Sequence, residues 1–155
     1  MSKWRKVWRL SWPERWLLLR AVFVLPAVAA LVRLGGVRRC QTILARLSPV
    51  GKKSHYVEGE SAEALARTVA RMVRAASAHG PFHANCLQQS LTLWCLLRRR
   101  GIMGDLRIGT RKEEGRFEAH AWIEFAGVAL NESRDVHARF TAFDQPLPPP
   151  EARLS

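Results

Sequence analysis

The sequence is poor in cysteine, which excludes several classes of protein at once. Three cysteines in 155 residues cannot build a disulfide framework, and no Cys-x-x-Cys pair or His-rich cluster has metal-ligand spacing. We therefore expect neither a metal nor another cofactor, and the composition fits a reducing cytoplasm. The hydrophobic share of 48% is ample for the packed core of one domain, so a disordered protein is excluded.

Acidic side chains are also scarce. Thirteen Asp and Glu residues face 25 Lys and Arg residues, which gives a formal net charge of +12. An excess of this size implies an anionic partner, but the sign alone does not choose between an acidic peptide, nucleic acid and a membrane surface. The run Arg98, Arg99 and Arg100 also has a local explanation, because cations favour the C-terminal end of a helix.

No uncharged hydrophobic run is long enough to span a membrane. The apolar segment over residues 16–34 is interrupted by Arg20, Pro26 and Arg33, and its longest uncharged stretch has 12 residues, whereas a span needs about 20. Arg20 also interrupts the apolar region that a signal peptide would need. We expect a cytoplasmic protein, whose basic, tryptophan-rich N-terminal end also fits peripheral contact with a membrane.

Helical patterns come first along the chain and strand patterns follow, which predicts an α+β fold. Ser11 and Glu14 form a capping-box pattern, and two glycines at 35 and 36 end the first helix. The regions expected are a helical region over 1–50, a core over 51–143 and a proline-rich, extended or disordered tail over 144–155. The predicted elements are helices over 12–34, 37–47, 61–79 (capped by Ser61) and 86–97, a polar linker over 51–59, and strands over 101–110, 117–125 and 128–132, with a charged turn over 111–115.

The most informative feature is a cysteine at the start of a helix, followed by a histidine on a strand. Asn85 is a good N-cap, so Cys86 lies in the first helical turn, where the helix dipole favours thiolate over thiol. With His120 on a predicted strand, it supplies the minimum apparatus for nucleophilic thiol catalysis. Cys40 and Cys95 are interpreted as ordinary core residues, as most helical cysteines are.

A Cys-His pair needs a third group to orient the imidazole, and both Glu132 and Asn131 are candidates. A three-residue hairpin loop ending at Gly127 would place Glu132 across from His120, whereas a two-residue turn would put Asn131 on the histidine's face. Two-residue turns want glycine or asparagine at their first position, which here is Ala126. The three-residue loop and Glu132 are therefore favoured, and Asn131 remains the alternative.

Several stretches closely resemble the lasso-peptide biosynthesis B proteins, in their protease half. Residues 12–39 are similar to the N-terminal region of that family as well, so the resemblance covers nearly all of the chain. The segments that carry it are CLQQSLTLWCLLRRRGI (86–102), LRIGTRK (106–112), AHAWIE (119–124) and VALNE (128–132).

The resemblance implies a transglutaminase-like, papain-like cysteine protease core, in which the nucleophile helix packs on an antiparallel sheet. It implies Cys86 as nucleophile, His120 as base and Glu132 as the acid, where the family usually has aspartate. The implied reaction removes the leader from a lasso precursor peptide and frees the core peptide for a separate cyclase. Because no leader-recognition module precedes Trp12, we expect a stand-alone protease that works with a separate leader-recognition protein and without nucleic acid.

Two alternatives stay open. The first keeps the thiol chemistry but changes the substrate, as in another transglutaminase-like amide hydrolase or acyltransferase. The second is a non-catalytic basic module that binds nucleic acid or a membrane, for which Cys86→Ala would leave function intact. A further hypothesis is that the arginines at 98–100 dock an acidic leader or the leader-recognition protein.

Overall fold

The protein consists of helices packed on one small antiparallel sheet. The computed structural model describes residues 10–48, 60–113, 115–132, 135–143 and 146–148. The strands of these residues lie in the order β3-β2-β1-β4, and the predicted α+β class is confirmed. The elements are α1 (Trp12–Leu47), α2 (Glu60–His79), α3 (Cys86–Arg98), β1 (Asp105–Glu113), β2 (Arg116–Phe125), β3 (Val128–Ala129), α4 (Val136–Arg139) and β4 (Thr141–Ala142).

The first helix begins where its capping box predicts and is broken where its glycines predict. The Ser11 N–H and hydroxyl both donate to Glu14 Oε2 at 2.9 Å. These bonds, the backbone one foremost, lower the pKa of Glu14. Gly36 has φ 72° and ψ 175°, so α1 consists of two helical parts joined directly at this residue. Glycine adopts this conformation without the cost that a side chain would add.

Several predicted element boundaries need correction, among them the start of β1, which is Asp105 and not Gly101, and the end of β3, which is Ala129 and not Glu132. α2 begins at Glu60, so Ser61 lies inside the helix and does not cap it. β1 continues to Glu113, which leaves a shorter turn than predicted. In the proline-rich tail, the Leu147 N–H donates to the Leu106 carbonyl at 2.9 Å, so this part pairs with the sheet. The predicted linker over 51–59 and the end of the tail lie outside the described residues.

The sheet has a helical layer on one face and a small aromatic cluster on the other. Ala121 and Ile123 of β2 belong to the main core, which they form with α1, α2 and α3. Trp122 points the opposite way and packs with Ala129, Val136 and Phe140. This alternation follows from the two-residue period of a strand. Both faces of β2 are therefore covered next to His120.

The predicted three-residue hairpin loop is wrong. Glu124 pairs with Ala129 and Phe125 with Val128, so the turn consists of Ala126 and Gly127 alone. Both turn residues are left-handed, with φ 50° and 75°, as a type I′ turn requires. Burial explains why the chain accepts an alanine there: this register carries Leu130 into the main core, where its N–H donates to the Ile123 carbonyl at 2.9 Å.

Candidate active site

Cys86 is the first residue of α3, as the sequence predicts, and a complete capping box fixes this end of the helix. The Gln88 N–H donates to Asn85 Oδ1 at 2.9 Å, and the Asn85 N–H donates to Gln88 Oε1 at 3.1 Å. The Gln89 amide donates to the Ala84 carbonyl at 2.9 Å. The half-buried Cys86 therefore lies at a rigid helix N-terminus, on the positive end of its dipole.

The loop that leads to Cys86 is tied to the end of α2. The Ala84 N–H donates to Ser77 Oγ at 3.0 Å, and the Ser77 hydroxyl donates in turn to the Ala84 carbonyl at 3.3 Å. His83 Nδ1 lies 3.0 Å from the Ser77 carbonyl. Because Ser77 is itself buried, the loop before Cys86 is also held from the helical core, in addition to the exposed capping box.

His120 and Glu132 are brought together. His120 Nε2 lies 2.9 Å from Glu132 Oε1, and both side chains are mostly buried. The pairing of β2 with β3 ends at Ala129, and the chain bends at residues 131 and 132. This bend lets Glu132 reach the imidazole although the hairpin register differs from the predicted one. With Nε2 bound to the carboxylate, Nδ1 is the ring nitrogen left for another partner.

Aromatic rings hold the imidazole in place. The His120 ring stacks on Phe140 with centroids 5.0 Å apart and on Trp122 with centroids 6.3 Å apart. Gly109 pairs with His120 across the sheet, and a Cβ at this glycine would lie 2.9 Å from the Trp122 ring. The glycine therefore makes room for the indole beside His120.

Basic groups surround this aromatic cluster. The guanidinium groups of Arg111 and Arg139 lie 5.1 and 5.7 Å from the centroid of the Phe140 ring. Arg111 also pairs with Glu118 at 2.6 Å, and the hydrogen bonds to this carboxylate raise the pKa of Arg111. A substrate that approaches the imidazole from this side meets cationic side chains.

A hydrogen-bond network joins the three segments that carry the candidate residues. Ser90 Oγ donates to the Ala121 carbonyl at 3.0 Å and accepts from Asn131 Nδ2 at 2.9 Å. Asn131 Oδ1 accepts from the Ile123 N–H at 2.8 Å. Ser90 lies one helical turn after Cys86 on the same face, while Ala121 follows His120 and Asn131 precedes Glu132. Each candidate residue therefore has a member of the network nearby.

Cys86 is not hydrogen-bonded to the histidine. Among the described residues no hydrogen bond joins Cys86 to His120 or Glu132, and Asn131 is bound to Ser90 and not to the imidazole. His120 shares the Trp122 face of β2, whereas α3 packs against the face that carries Ala121 and Ile123. A cavity of about 300 Å³ lies elsewhere, lined by Glu63, Arg67, Gly127, Val128, Ala129 and His137.

Sequence reasoning missed several residues that build this site. The helical period could have found Ser90, because it lies one turn from Cys86. The strand period does place Trp122 on the face of His120, but nothing in the sequence indicates that Phe140 stacks there. Within the described ranges no three His, Cys, Asp or Glu side chains are grouped to hold a metal ion.

Comparison with known proteins gives one result. Residues 21–143 match the family described as the transglutaminase-like superfamily. The match includes Cys86, His120, Asn131 and Glu132. No curated protein and no solved structure matches the chain.

Proposed function

The chain belongs to the transglutaminase-like superfamily, and from this premise we propose that it is a cysteine peptidase that removes the leader from a lasso-peptide precursor. The family supports papain-like cysteine protease or acyltransferase chemistry. Two observations support the narrower function: the resemblance of residues 86–132 to lasso-peptide B proteins, and the contact of His120 with Glu132. The contact is the observation that carries the proposal, because it supplies an oriented base.

The roles follow from the chemistry of the three groups. Cys86 is the nucleophile, at the positive end of the α3 dipole. His120 is the base, and its Nδ1 takes the thiol proton because Nε2 is bound to Glu132. Glu132 fixes the imidazole tautomer and stabilises the imidazolium that forms. Glutamate at this position takes the role that aspartate has in most members of the lasso-peptide B family, which the chain resembles.

The reaction then has two stages. The thiolate attacks the carbonyl of the leader–core bond, and a C–S bond forms as His120 protonates the departing amine. The core peptide leaves with a free N-terminal amine, and the leader stays as a thioester on Cys86. Water, deprotonated by His120, attacks the thioester, which releases the leader as a carboxylic acid and restores the thiol.

One oxyanion donor can be assigned from the helix geometry. The Cys86 N–H is in the first turn of α3, where helical geometry provides no acceptor for it. It therefore remains available for the negative oxygen of the tetrahedral intermediate. The Gln89 side-chain N–H already donates to the Ala84 carbonyl, whereas Gln88 is held through Oε1, which accepts from the Asn85 N–H.

The proposal includes two protein partners and a cytoplasmic reaction. A separate leader-recognition protein holds the precursor, and a lasso cyclase consumes the freed core peptide. The net charge of +12 supports an acidic peptide as the ligand, although Arg111 beside the aromatic cluster is already paired with Glu113 and Glu118. Arg98, in contrast, is buried and stacks on Trp94, so the arginines at 98–100 do not form one docking surface.

Digestion of precursor peptides tests the proposal. The protein is incubated with a candidate lasso precursor, with and without a leader-recognition protein, and the products are read by intact-mass spectrometry. We expect cleavage at one leader–core bond by the wild type and none by Cys86→Ala. A product joined to an added amine would indicate acyl transfer in place of hydrolysis.

Cys95→Ala is the matched control, because Cys95 lies on the same helix but is buried away from its N-terminus. This variant should cleave like the wild type once it is folded. Cleavage that persists in folded Cys86→Ala would contradict the proposal. Steeply salt-dependent binding without turnover in the wild type would favour the non-catalytic basic module instead.

A further inference from the structure

The outer face of α1 carries a row of exposed apolar side chains. Trp12, Phe23 and Leu34 are 72%, 69% and 86% exposed, and Trp16 and Leu19 are exposed as well. They recur at helical spacing, so they lie on one side of the helix. The exposed small residues Ala27 and Ala30 continue the row, which we call the α1 ridge: Trp12, Trp16, Leu19, Phe23, Ala27, Ala30 and Leu34.

The opposite side of the same helix is fully used by the protein core. Leu17, Ala21, Leu25 and Val28 are buried there. α1 is therefore apolar on two sides, and its own fold covers only one of them. A contiguous exposed apolar patch marks a surface that meets another apolar phase. At 1.5 Å per residue the ridge is about 33 Å long.

The charges beside the ridge are of one sign. Arg20 and Arg33 are the exposed charged side chains within its length, and the Arg20 guanidinium lies 5.8 Å from the centroid of the Trp16 ring. The single acidic residue of α1, Glu14, accepts hydrogen bonds from Ser11 and pairs with Arg71. The nine residues before the described part contain four basic residues, two tryptophans and no acid.

A second basic group lies close to Arg20, at the end of α3. Burial and then the nearby charges of Arg20 and Arg99 lower the pKa of Arg100. Arg99 binds Ser48 Oγ and the Leu47 carbonyl, at 3.1 Å each, which holds the cationic group against the end of α1. Arg20, Arg99 and Arg100 thus form a group of neighbouring cationic side chains next to α1.

We propose that the α1 ridge lies flat on an anionic lipid surface. Tryptophan, phenylalanine and leucine enter the boundary between headgroups and acyl chains, and Arg20 and Arg33 reach the lipid phosphates. By length and composition α1 could also cross a membrane, with a mean hydropathy of 2.2 over its most apolar 18 residues. If α1 crossed the membrane, Leu17, Ala21 and Leu25 would have to leave the protein core. Binding of α1 to the membrane surface keeps these residues in the core.

Vesicle flotation tests the proposal on the full chain. We expect the wild type to float with phosphatidylglycerol-containing vesicles and to stay behind with pure phosphatidylcholine, since guanidinium groups contribute only at an anionic surface. Phe23→Glu should weaken the affinity for vesicles about tenfold or more, because it replaces an aromatic ring that enters the lipid with a charged side chain. Arg20→Gln should reduce the preference for phosphatidylglycerol and leave the apolar contribution to vesicle affinity unchanged.

Phe117→Glu is the matched control, because Phe117 is 77% exposed but lies on β2, away from the ridge. It should bind vesicles like the wild type. Circular dichroism establishes that each variant is folded, and none of these residues belongs to the proposed catalytic group. Equal affinity of Phe23→Glu and the wild type would overturn the proposal. Concentration-dependent dimers abolished by Phe23→Glu, with no vesicle binding, would overturn it too and assign the ridge to a second copy.

Discussion

At the scale of single residues, the candidate site consists of a His–Glu pair and a separate cysteine. His120 and Glu132 are held 2.9 Å apart, while Cys86 is placed by its capping box. The imidazole is oriented whether or not the thiol is present. Catalysis would then depend on how well the carboxylate stabilises the imidazolium, which a single substitution can measure.

Glu132→Gln keeps the size of the side chain and removes its charge. Since a hydrogen bond to a charged group contributes about 1.5–3 kcal/mol, we expect kcat/KM for precursor cleavage to fall roughly tenfold to a hundredfold. Glu132→Asp restores the charge on a shorter side chain and should recover part of the activity. Steady-state kinetics with the precursor check this, and an unchanged rate in Glu132→Gln would remove Glu132 from the mechanism.

At the scale of elements, Ser90 and Asn131 join α3 to the sheet through mostly buried hydrogen bonds. Asn131→Ala leaves Ser90 Oγ and the Ile123 N–H without this partner. We expect the free energy of unfolding to fall by about 1–3 kcal/mol. Denaturant titration measures this loss of stability. The double variant Ser90→Ala/Asn131→Ala should lose less stability than the sum of the two single variants, because the two residues share a hydrogen bond.

A second prediction for elements concerns the close packing of β1 and β2. In Gly109→Ala the new Cβ would meet the Trp122 ring at 2.9 Å and the Thr141 carbonyl at 3.1 Å. Overpacking of this kind costs about 1–3 kcal/mol of stability. Gly35→Ala is the control, because its Cβ would meet only the flexible Arg39 side chain. A melting temperature of Gly109→Ala equal to that of the wild type would contradict this account.

Local patterns in the sequence predict most of the helices, because capping boxes and glycines act within a few residues. Asn85 with Gln88 and Ser11 with Glu14 mark two helix starts in the printed sequence. The hairpin register could not be predicted in this way. Local preference disfavours Ala126 in a left-handed turn, at a cost of about 1–2 kcal/mol, but burial of the distant Leu130 outweighs it.

The candidate site shows the same difference between features set by local sequence and features set by tertiary packing. The sequence singles out Cys86 and His120 as candidates, and it favours Glu132 through a hairpin register that the structure contradicts and through the resemblance to a family. It does not reveal that Asn131 binds Ser90, or that Phe140 stacks on the imidazole, since both contacts join residues far apart in the chain. Local signals therefore give candidate residues, and tertiary packing determines which neighbours hold them.

At the scale of the whole molecule, the helical core contains a thiol that is sensitive to alkaline pH. Cys40 is fully buried. Burial, and to a lesser extent the nearby Cys95, raises the pKa of Cys40 from 9.0 to about 11. The unfolded chain therefore loses this proton at a lower pH than the native protein, so stability is full below pH 9 and declines as the pH rises towards 11.

Through this one group the free energy of unfolding should fall by about 2 kcal/mol between pH 8 and pH 11. Denaturant titrations at both pH values measure the fall for the wild type and for Cys40→Ala. Cys40→Ala is less stable than the wild type at pH 8 because the substitution leaves a cavity. Between pH 8 and pH 11, however, its free energy of unfolding should fall by about 2 kcal/mol less than that of the wild type. Parallel declines in the two proteins would contradict a buried, neutral Cys40.

The Ser90–Asn131 network has one more consequence. It joins the neighbours of Cys86, His120 and Glu132 and leaves those three side chains out of the scaffold. An inactive Cys86→Ala protein should therefore keep the native fold and an intact binding surface. If the proposed function is correct, such a protein would bind a precursor without cleaving it, and the uncleaved complex could be isolated.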